Sequence, residues 1–313
     1  MKKIGCSQLS LLLILTGTFF IISISELYSA EKIFGVVLFY ILLFIIGISI
    51  PKKVYQKNWE SISKTVSGIF LAVFILTGAF ALLRVLRITD KVYFPVGSKW
   101  IIWVLIALVC LYGSVEGIKA VSESSVFVFA LLCLSLLIMV FSSRENIKLG
   151  NISFSYNWSQ TFLSLLSHIL ICGEIVALVY MLRFSEGNRK KGVCFYVLAK
   201  GTITVLVLVI GTATVGNLGS FSEYPFFSAV SLSKPFGIQR MDGLYIVLFT
   251  VLAVVATTFY VILSADVLKN ILPKLKYNEF AVTAVIVAVA FFMKGLVRMG
   301  KGLGRFYYCA VCL

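Results

Sequence analysis

Charge is scarce in this chain, and negative charge scarcest of all. Thirteen Asp and Glu and a single histidine serve 313 residues. Charged residues of both signs make up 13% of the chain, against about 25% in an average globular domain. Acids within the apolar runs are too few for a paired-carboxylate site, and the sequence holds no H-E-x-x-H, G-x-S-x-G or Walker loop. The chain is therefore expected to be neither an enzyme nor a cofactor protein.

Long hydrophilic stretches are also missing. The longest run over 51–65, 142–161 and 216–243, too short to hold a soluble domain, so residues 1–313 read as a single polytopic membrane domain. Seven cysteines fit no disulfide framework, since Cys110, Cys133 and Cys172 lie inside apolar runs and Cys6 and Cys194 near run ends, where they serve as small apolar fillers. Cys309 and Cys312 form a lone C-x-x-C with no second pair and no histidine nearby, so no metal site is expected.

What the chain has instead is apolar length. It is 60% hydrophobic with a mean hydropathy of +1.03. Apolar runs cover roughly 9–24, 33–50, 66–83, 100–112, 126–141, 162–182, 201–215, 244–263 and 280–292, giving nine candidate spans of an all-α integral membrane protein. Several fall short of the ~20 residues a perpendicular span needs, so flanking aromatics must complete them at the interfaces. Tyr55, Trp59, Tyr93, Trp100, Tyr156, Trp158 and Tyr277 sit where such belts belong. The first run follows Lys2 and Lys3 like a signal peptide, but polar Thr16, Gly17 and Thr18 at its centre and eight later spans favour a retained helix.

A net charge of +15 invites a nucleic-acid reading, yet Lys and Arg are scattered through loops and form no basic face. No nucleic-acid partner is expected. Orientation accounts for the cations better: with the N-terminus inside, inner segments hold fifteen Lys and Arg, Lys200 among them, and outer loops nine, including Arg84 and Arg87. The last four, Lys294, Arg298, Lys301 and Arg305, fall in a tail that nine spans place outside, which reads as a shortened or altered tenth helix. The chain is thus predicted to be a multi-pass protein of the cytoplasmic membrane with its N-terminus in the cytoplasm.

Gly173-Glu174 stands in the middle of the run from Phe162 to Leu182. An ionised side chain at bilayer depth costs at least about 2.5 kcal/mol, so a buried Glu faces a cavity, a partner or a transported proton. Glycine is roughly 1 kcal/mol poorer than Ala as a helix former and marks a place where the helix can open. Thr16-Gly17-Thr18 interrupts the first span at the matching position if helices one to five and six to ten are inverted repeats, at about 7–142 and 159–313. Close packing by small residues explains either interruption alone.

The candidate ligand site therefore comprises Thr16, Gly17, Thr18, Gly173, Glu174 and Thr257. Glu174 could bind a ligand ammonium, carry a coupling proton or pair with a buried polar group. Thr257 and Thr258 line the pocket or bond back to their own helix. His168, six residues before Glu174, lies about 240° round an ideal helix from it and reads as an interfacial histidine. Glu116 and Lys119 form a local helix pair or a gating contact. The stretch 216–243, rich in Gly, Pro and aromatics, suits a short outer helix or a re-entrant lid.

The stretches SQLSLLLILTGTFF, YGSVEGIKAVSESSVFVFALLCLSLLIMVF, ICGEIVALVYMLRF and VGNLGSFSEYPFFSAV together resemble the spore germination permease family, the B-type subunits of germinant receptors, within the amino acid, polyamine and organocation transporter superfamily. The resemblance implies a LeuT-like fold of two inverted five-helix repeats, with helices one and six unwound around an amino-acid-like nutrient. It also implies partners, a receptor A subunit and a C-type lipoprotein, in the inner membrane of the spore. Gly17 and Thr18 match the small-residue break of helix one, and Gly173 with Glu174 the Gly-Glu of helix six. Two jobs fit these residues: a nutrient sensor read by partner subunits, or a proton-coupled amino-acid transporter.

Overall fold

The computed structural model describes residues 3–23, 29–49, 64–89, 99–144, 146–152, 157–171, 173–216, 224–232, 242–275 and 277–300. In order these form β1 (Ile4–Gly5), α1 (Cys6–Ile22), α2 (Ala30–Ser49), α3 (Lys64–Ile88), α4 (Lys99–Glu116), α5 (Ile118–Ser143), α6 (Trp158–Ile171), α7 (Gly173–Met181), β2 (Ser185–Glu186), α8 (Arg189–Val215), α9 (Pro225–Leu232), α10 (Asp242–Ile271) and α11 (Asn278–Gly300). Six stretches are long and apolar enough to cross a membrane: Ala30–Ser49, Lys64–Ile88, Ile118–Ser143, Arg189–Val215, Gly243–Ile271 and Asn278–Gly295. The shorter apolar α1 and α4 and the α6–α7 pair bring the spans to nine among the described residues. This is a multi-pass membrane protein.

Six of the nine predicted runs lie inside longer helices, because polar and charged ends extend the turns that the apolar core begins. One extension moves two cations out of the expected tail. Lys294 and Arg298 belong to α11, which continues to Gly300, and the Lys294 ammonium lies 4.9 Å from the centre of the Trp103 ring of α4. Residues 301–313, with Cys309, Cys312, Lys301 and Arg305, lie outside the described residues. So do Tyr55, Trp59, Tyr93, Tyr156 and Cys172. Trp158 and Tyr277, from the predicted aromatic belts, are 68% and 70% exposed.

α1 is buried along nearly its whole length, from Leu9 to Ile22 with little interruption, and packs against α5, α7, α8 and α10. A helix that is apolar on every side belongs in the middle of a bundle. α10 is the second central helix, packed on α1, α3, α4, α5 and α11. α2 lies against α6 and α8, and the contact with α6 is possible because position 35 is glycine. A Cβ there would run into the backbone carbonyl of Thr161 and lie 3.1 Å from the Ser164 Cβ. Backbone cannot yield as a side-chain tip can, so Gly35→Ala is expected to destabilise the protein by about 1–3 kcal/mol in thermal unfolding.

Local chemistry fixes the ends. Asn188 caps α8 by accepting a hydrogen bond from the Lys191 amide at 3.1 Å. Gly117, at φ 87°, makes the turn from α4 to α5, a conformation that L side chains rarely adopt. That turn corrects the reading of Glu116: Lys119 pairs instead with Glu123, one helical turn on, at 3.8 Å, with both side chains more than half exposed. Such a pair contributes little. Arg84 of α3 donates to the Phe20 carbonyl at 3.1 Å and the Ser23 hydroxyl at 2.9 Å, which places a cation at the C-terminus of α1 where the helix dipole favours it. β1 and β2 pair in parallel, Ile4 with Ser185 and Gly5 with Glu186, tying the start of α1 to the chain leaving α7.

Candidate functional site

The run Phe162–Leu182 is two helices. Among the described residues α6 reaches Ile171 and α7 starts at Gly173, with Gly173 and Glu174 themselves helical, and Cys172 lies outside the described residues. Glu174 sits in the first turn of α7, where exposed backbone amides and the helix dipole favour a carboxylate. It is fully buried.

α1 differs from expectation. It is helical throughout Cys6–Ile22, and Thr16 and Thr18 do not open it. Their hydroxyls donate to the carbonyls of Leu12 at 2.9 Å and Ile14 at 2.7 Å, one turn back along the same helix. Threonine carries its own substitute for water in this way, which lets it sit in a buried helix without breaking it. The expected opening of helix one at Thr16-Gly17-Thr18 is therefore corrected: α1 is intact there. Gly17 still belongs to the site, for its size. A Cβ at that position would lie 2.5 Å from both Cε and Nζ of Lys200 and 2.8 Å from Oε1 of Glu174.

Lys200 is the functional residue that sequence reasoning misplaced. Charge counting puts it with the cations of an inner segment, yet it lies within α8 and is 1% exposed, and its ammonium is in direct ionic contact with Oε1 of Glu174. The carboxylate and ammonium are thus each other's counter-ion at bilayer depth. Of the three roles open to Glu174, the structure realises pairing with a buried partner. The Tyr196 hydroxyl also donates to the same carboxylate oxygen at 3.4 Å. Aromatic rings wall the ammonium in, Tyr196 at 5.8 Å and Tyr40 of α2 at 6.0 Å to the ring centres. The Tyr40 and Thr204 hydroxyls are 3.3 Å apart.

His168 also departs from its reading. It is buried rather than interfacial, and its ring stands edge-on to Phe39 at 5.5 Å and Tyr40 at 5.7 Å. Neither ring nitrogen has a hydrogen-bond partner among the described residues, nor does Oε2 of Glu174 or Oγ1 of the buried Thr257 on α10. Gly173 points elsewhere: a Cβ there would meet the Thr77 side chain of α3 at 3.2 Å.

Layers close the site on both sides. Toward the face that carries the N-terminus, Arg183 donates to Oδ2 of Asp266 at 3.1 Å, and Tyr180 donates to the same oxygen at 2.7 Å. Arg183 lies over the rings of Tyr180 at 4.0 Å and Phe184 at 4.3 Å. That cluster joins the end of α7 to the end of α10. Toward the opposite face, Phe19 of α1 meets Phe249 of α10 at 5.2 Å, and Phe249 meets Phe227 of α9 at 5.3 Å. α9 is the short helix expected within 216–243, and the rest of that stretch lies largely outside the described residues.

The candidate site is thus a buried acid in the first turn of α7, close against α1 and α8, with aromatic and ionic layers on either side. The spore germination protein family model, the spore permeases, matches residues 32–297. This chain belongs to that family. The solved structure of Mhp1, a nucleobase-cation-symport-1 family transporter in a closed conformation with bromovinylhydantoin bound, is similar over 94% of this chain and 72% of its own, with a TM-score of 0.66 and 13% identity. At that identity the likeness concerns the fold alone, which is LeuT-like. No curated protein matches the chain. Family and fold are those of permeases and support a nutrient permease or germinant-receptor-like role.

Proposed function

We propose that this chain is the B-type subunit of a spore germinant receptor, which binds a small nutrient, an amino acid, beside Glu174 where α1, α7 and α8 meet. The single observation that carries the reading is the fully buried Glu174 in the first turn of α7, close against Gly17. Binding there biases the protein between two shapes by differential affinity, and the A subunit and C-type lipoprotein read the change. Repeat one runs over about 7–142 and repeat two over about 159–313. The protein resides in the inner membrane of the spore with its N-terminus in the cytoplasm, and it catalyses no reaction. In that orientation the Arg183–Asp266 cluster closes the cytoplasmic side and α9 the outer side.

Ligand-induced thermal stabilisation of the purified chain across an amino-acid panel tests the reading. Glu174→Gln is expected to weaken the dose-response at least ten-fold while leaving membrane insertion intact. An unchanged dose-response in that variant removes Glu174 from the site. A second reading, proton-coupled amino-acid transport, draws on the same buried acid, since a carboxylate that exchanges its partner can take up and release a proton. Proton-dependent uptake into proteoliposomes by this chain alone would favour it.

A further inference from the structure

The seam between α2 and α8 opens on a groove that the candidate site does not use. It holds about 670 Å³ and is walled by Tyr40, Ile41 and Phe44 of α2 and by Leu198, Gly201 and Val205 of α8, among others. We propose that this groove seats an acyl chain of an anionic phospholipid, drawn from the leaflet on the side of the chain's N-terminus, with the lipid phosphate held by the basic start of α8.

Depth and chemistry suit hydrocarbon. α8 has 27 residues, about 40 Å of helix against a bilayer core of about 30 Å, so its ends reach the headgroups. Arg189, Lys190 and Lys191 open the helix and stand at that level. The groove begins at Val197, about 10 Å along α8 from Lys190, and runs about 20 Å further to Ile210. Ile41 and Leu198 at its edge are 49% and 53% exposed, so it is open to lipid. Its polar residues turn away: the Thr202 hydroxyl donates to the Leu198 carbonyl at 2.9 Å, and the Tyr40 hydroxyl lies 3.3 Å from that of Thr204.

Shape favours a chain over a neighbouring helix. Transmembrane helices approach one another over patches of small residues. Gly201 offers no such patch, because the Tyr40 ring already covers it and a Cβ there would lie 3.0 Å from that ring. Around it stand Val, Leu, Ile and Phe side chains, and the channel they leave admits a flexible chain and not a cylinder about 10 Å across.

Charge selects the headgroup. The Lys190 ammonium donates to the Ile48 carbonyl at the end of α2, which puts the basic cluster on the same seam as the groove. Lys191 is exposed beside it, and Glu186, the acid that precedes the cluster, pairs with Lys3 at 3.3 Å. Clustered cations at the membrane surface attract anionic lipid. Tyr40 lines the groove and also stands 6.0 Å from the Lys200 ammonium, so a seated chain bears on the wall of the Glu174–Lys200 site.

Native mass spectrometry of the purified, delipidated full-length chain tests the inference. The probes are phosphatidylglycerol, phosphatidylcholine with the same two acyl chains, and the chain-free headgroup glycerophosphoglycerol. One phosphatidylglycerol is expected to stay bound, about ten-fold more tightly than phosphatidylcholine, with no binding of the headgroup alone. Val205→Trp, which fills the groove, is expected to weaken phosphatidylglycerol about ten-fold. Leu105→Trp, on the 55% exposed face of α4, leaves it unchanged. The double variant Lys190→Gln, Lys191→Gln is expected to bring phosphatidylglycerol down to the phosphatidylcholine level, a loss of discrimination that a merely structural role for the lysines would not produce. Equal affinity for the two lipids in the unmodified protein overturns the headgroup assignment, and undiminished binding to Val205→Trp overturns the groove. A dimer that Val205→Trp dissociates would mean that a second copy, and not a lipid, covers the seam. If Val205→Trp does not fold, phosphatidylglycerol with a photoreactive chain end decides on the unmodified protein: crosslinks within 37–44 and 197–210 support the site, and crosslinks confined to other helices overturn it.

Discussion

Lys200→Met is expected to cost the folded protein about 3–5 kcal/mol, because it leaves Glu174 as an unpaired charge in an interior where the pair is 1% exposed. Methionine keeps the length of the stem and its contact with the Tyr40 and Tyr196 rings, so packing alone predicts a small loss. The double variant Glu174→Gln, Lys200→Met removes both charges and is expected to recover most of the stability. Replacing a whole buried pair with neutral groups of similar size is far cheaper than breaking it from one side. Thermal unfolding in detergent of the two single variants and the double variant measures the coupling as a cycle. If Lys200→Met is as stable as the unmodified protein, the two charges are not each other's counter-ion.

Gly17→Val is expected to be the other severe change, at the upper end of the ~1–3 kcal/mol range for overpacking, together with loss of ligand-induced stabilisation. The first carbon of any side chain there already falls 2.5 Å from the Lys200 stem and 2.8 Å from the Glu174 carboxylate. Relief requires the pair to part or α1 to withdraw from α8. Neither is cheap: the pair is buried, and the start of α1 is held by Ser10, which donates to the Gly192 carbonyl of α8 at 2.9 Å. Gly211, also on α8, has open space where its Cβ would be, and Gly211→Ala serves as the control with little expected loss. Equal loss at the two positions would mean that helix flexibility, and not contact with the pair, is what Gly17 provides.

The contrast between Gly17 and Gly173 shows how far sequence can be read. Both were read as places where a helix opens. At 173 the helix α7 starts, and Glu174 lies in its first turn. At 17 the helix does not open, since Thr16 and Thr18 bond to their own helix and the glycine supplies closeness instead. Composition cannot separate these uses, because an opening and a close approach both call for a small residue.

Lys200 and His168 were misread for a related reason. Lys200 follows the basic cluster Arg189, Lys190 and Lys191 by only nine residues, which made it look like the end of a loop. A signal was present: it has VCFYVLA before it and GTITVLVLV after it, which puts it well inside a helix that begins at Arg189. His168 stands near the end of its apolar run, which reads as interfacial, but packing against Phe39 and Tyr40 buries it.

Hydropathy is a local and additive property, so the order of residues by itself determined that this is an all-helical, multi-pass membrane protein and that an acid, Glu174, lies inside one of its apolar runs. Which cation neutralises that acid is not local. Lys200 is twenty-six residues further on and in another helix, and Gly17 is on a third, at the other end of the chain. Only the packing of α1 against α7 and α8 brings the three together, because a buried charge selects its partner by distance in space and burial of both groups, and neither is written in their spacing along the chain.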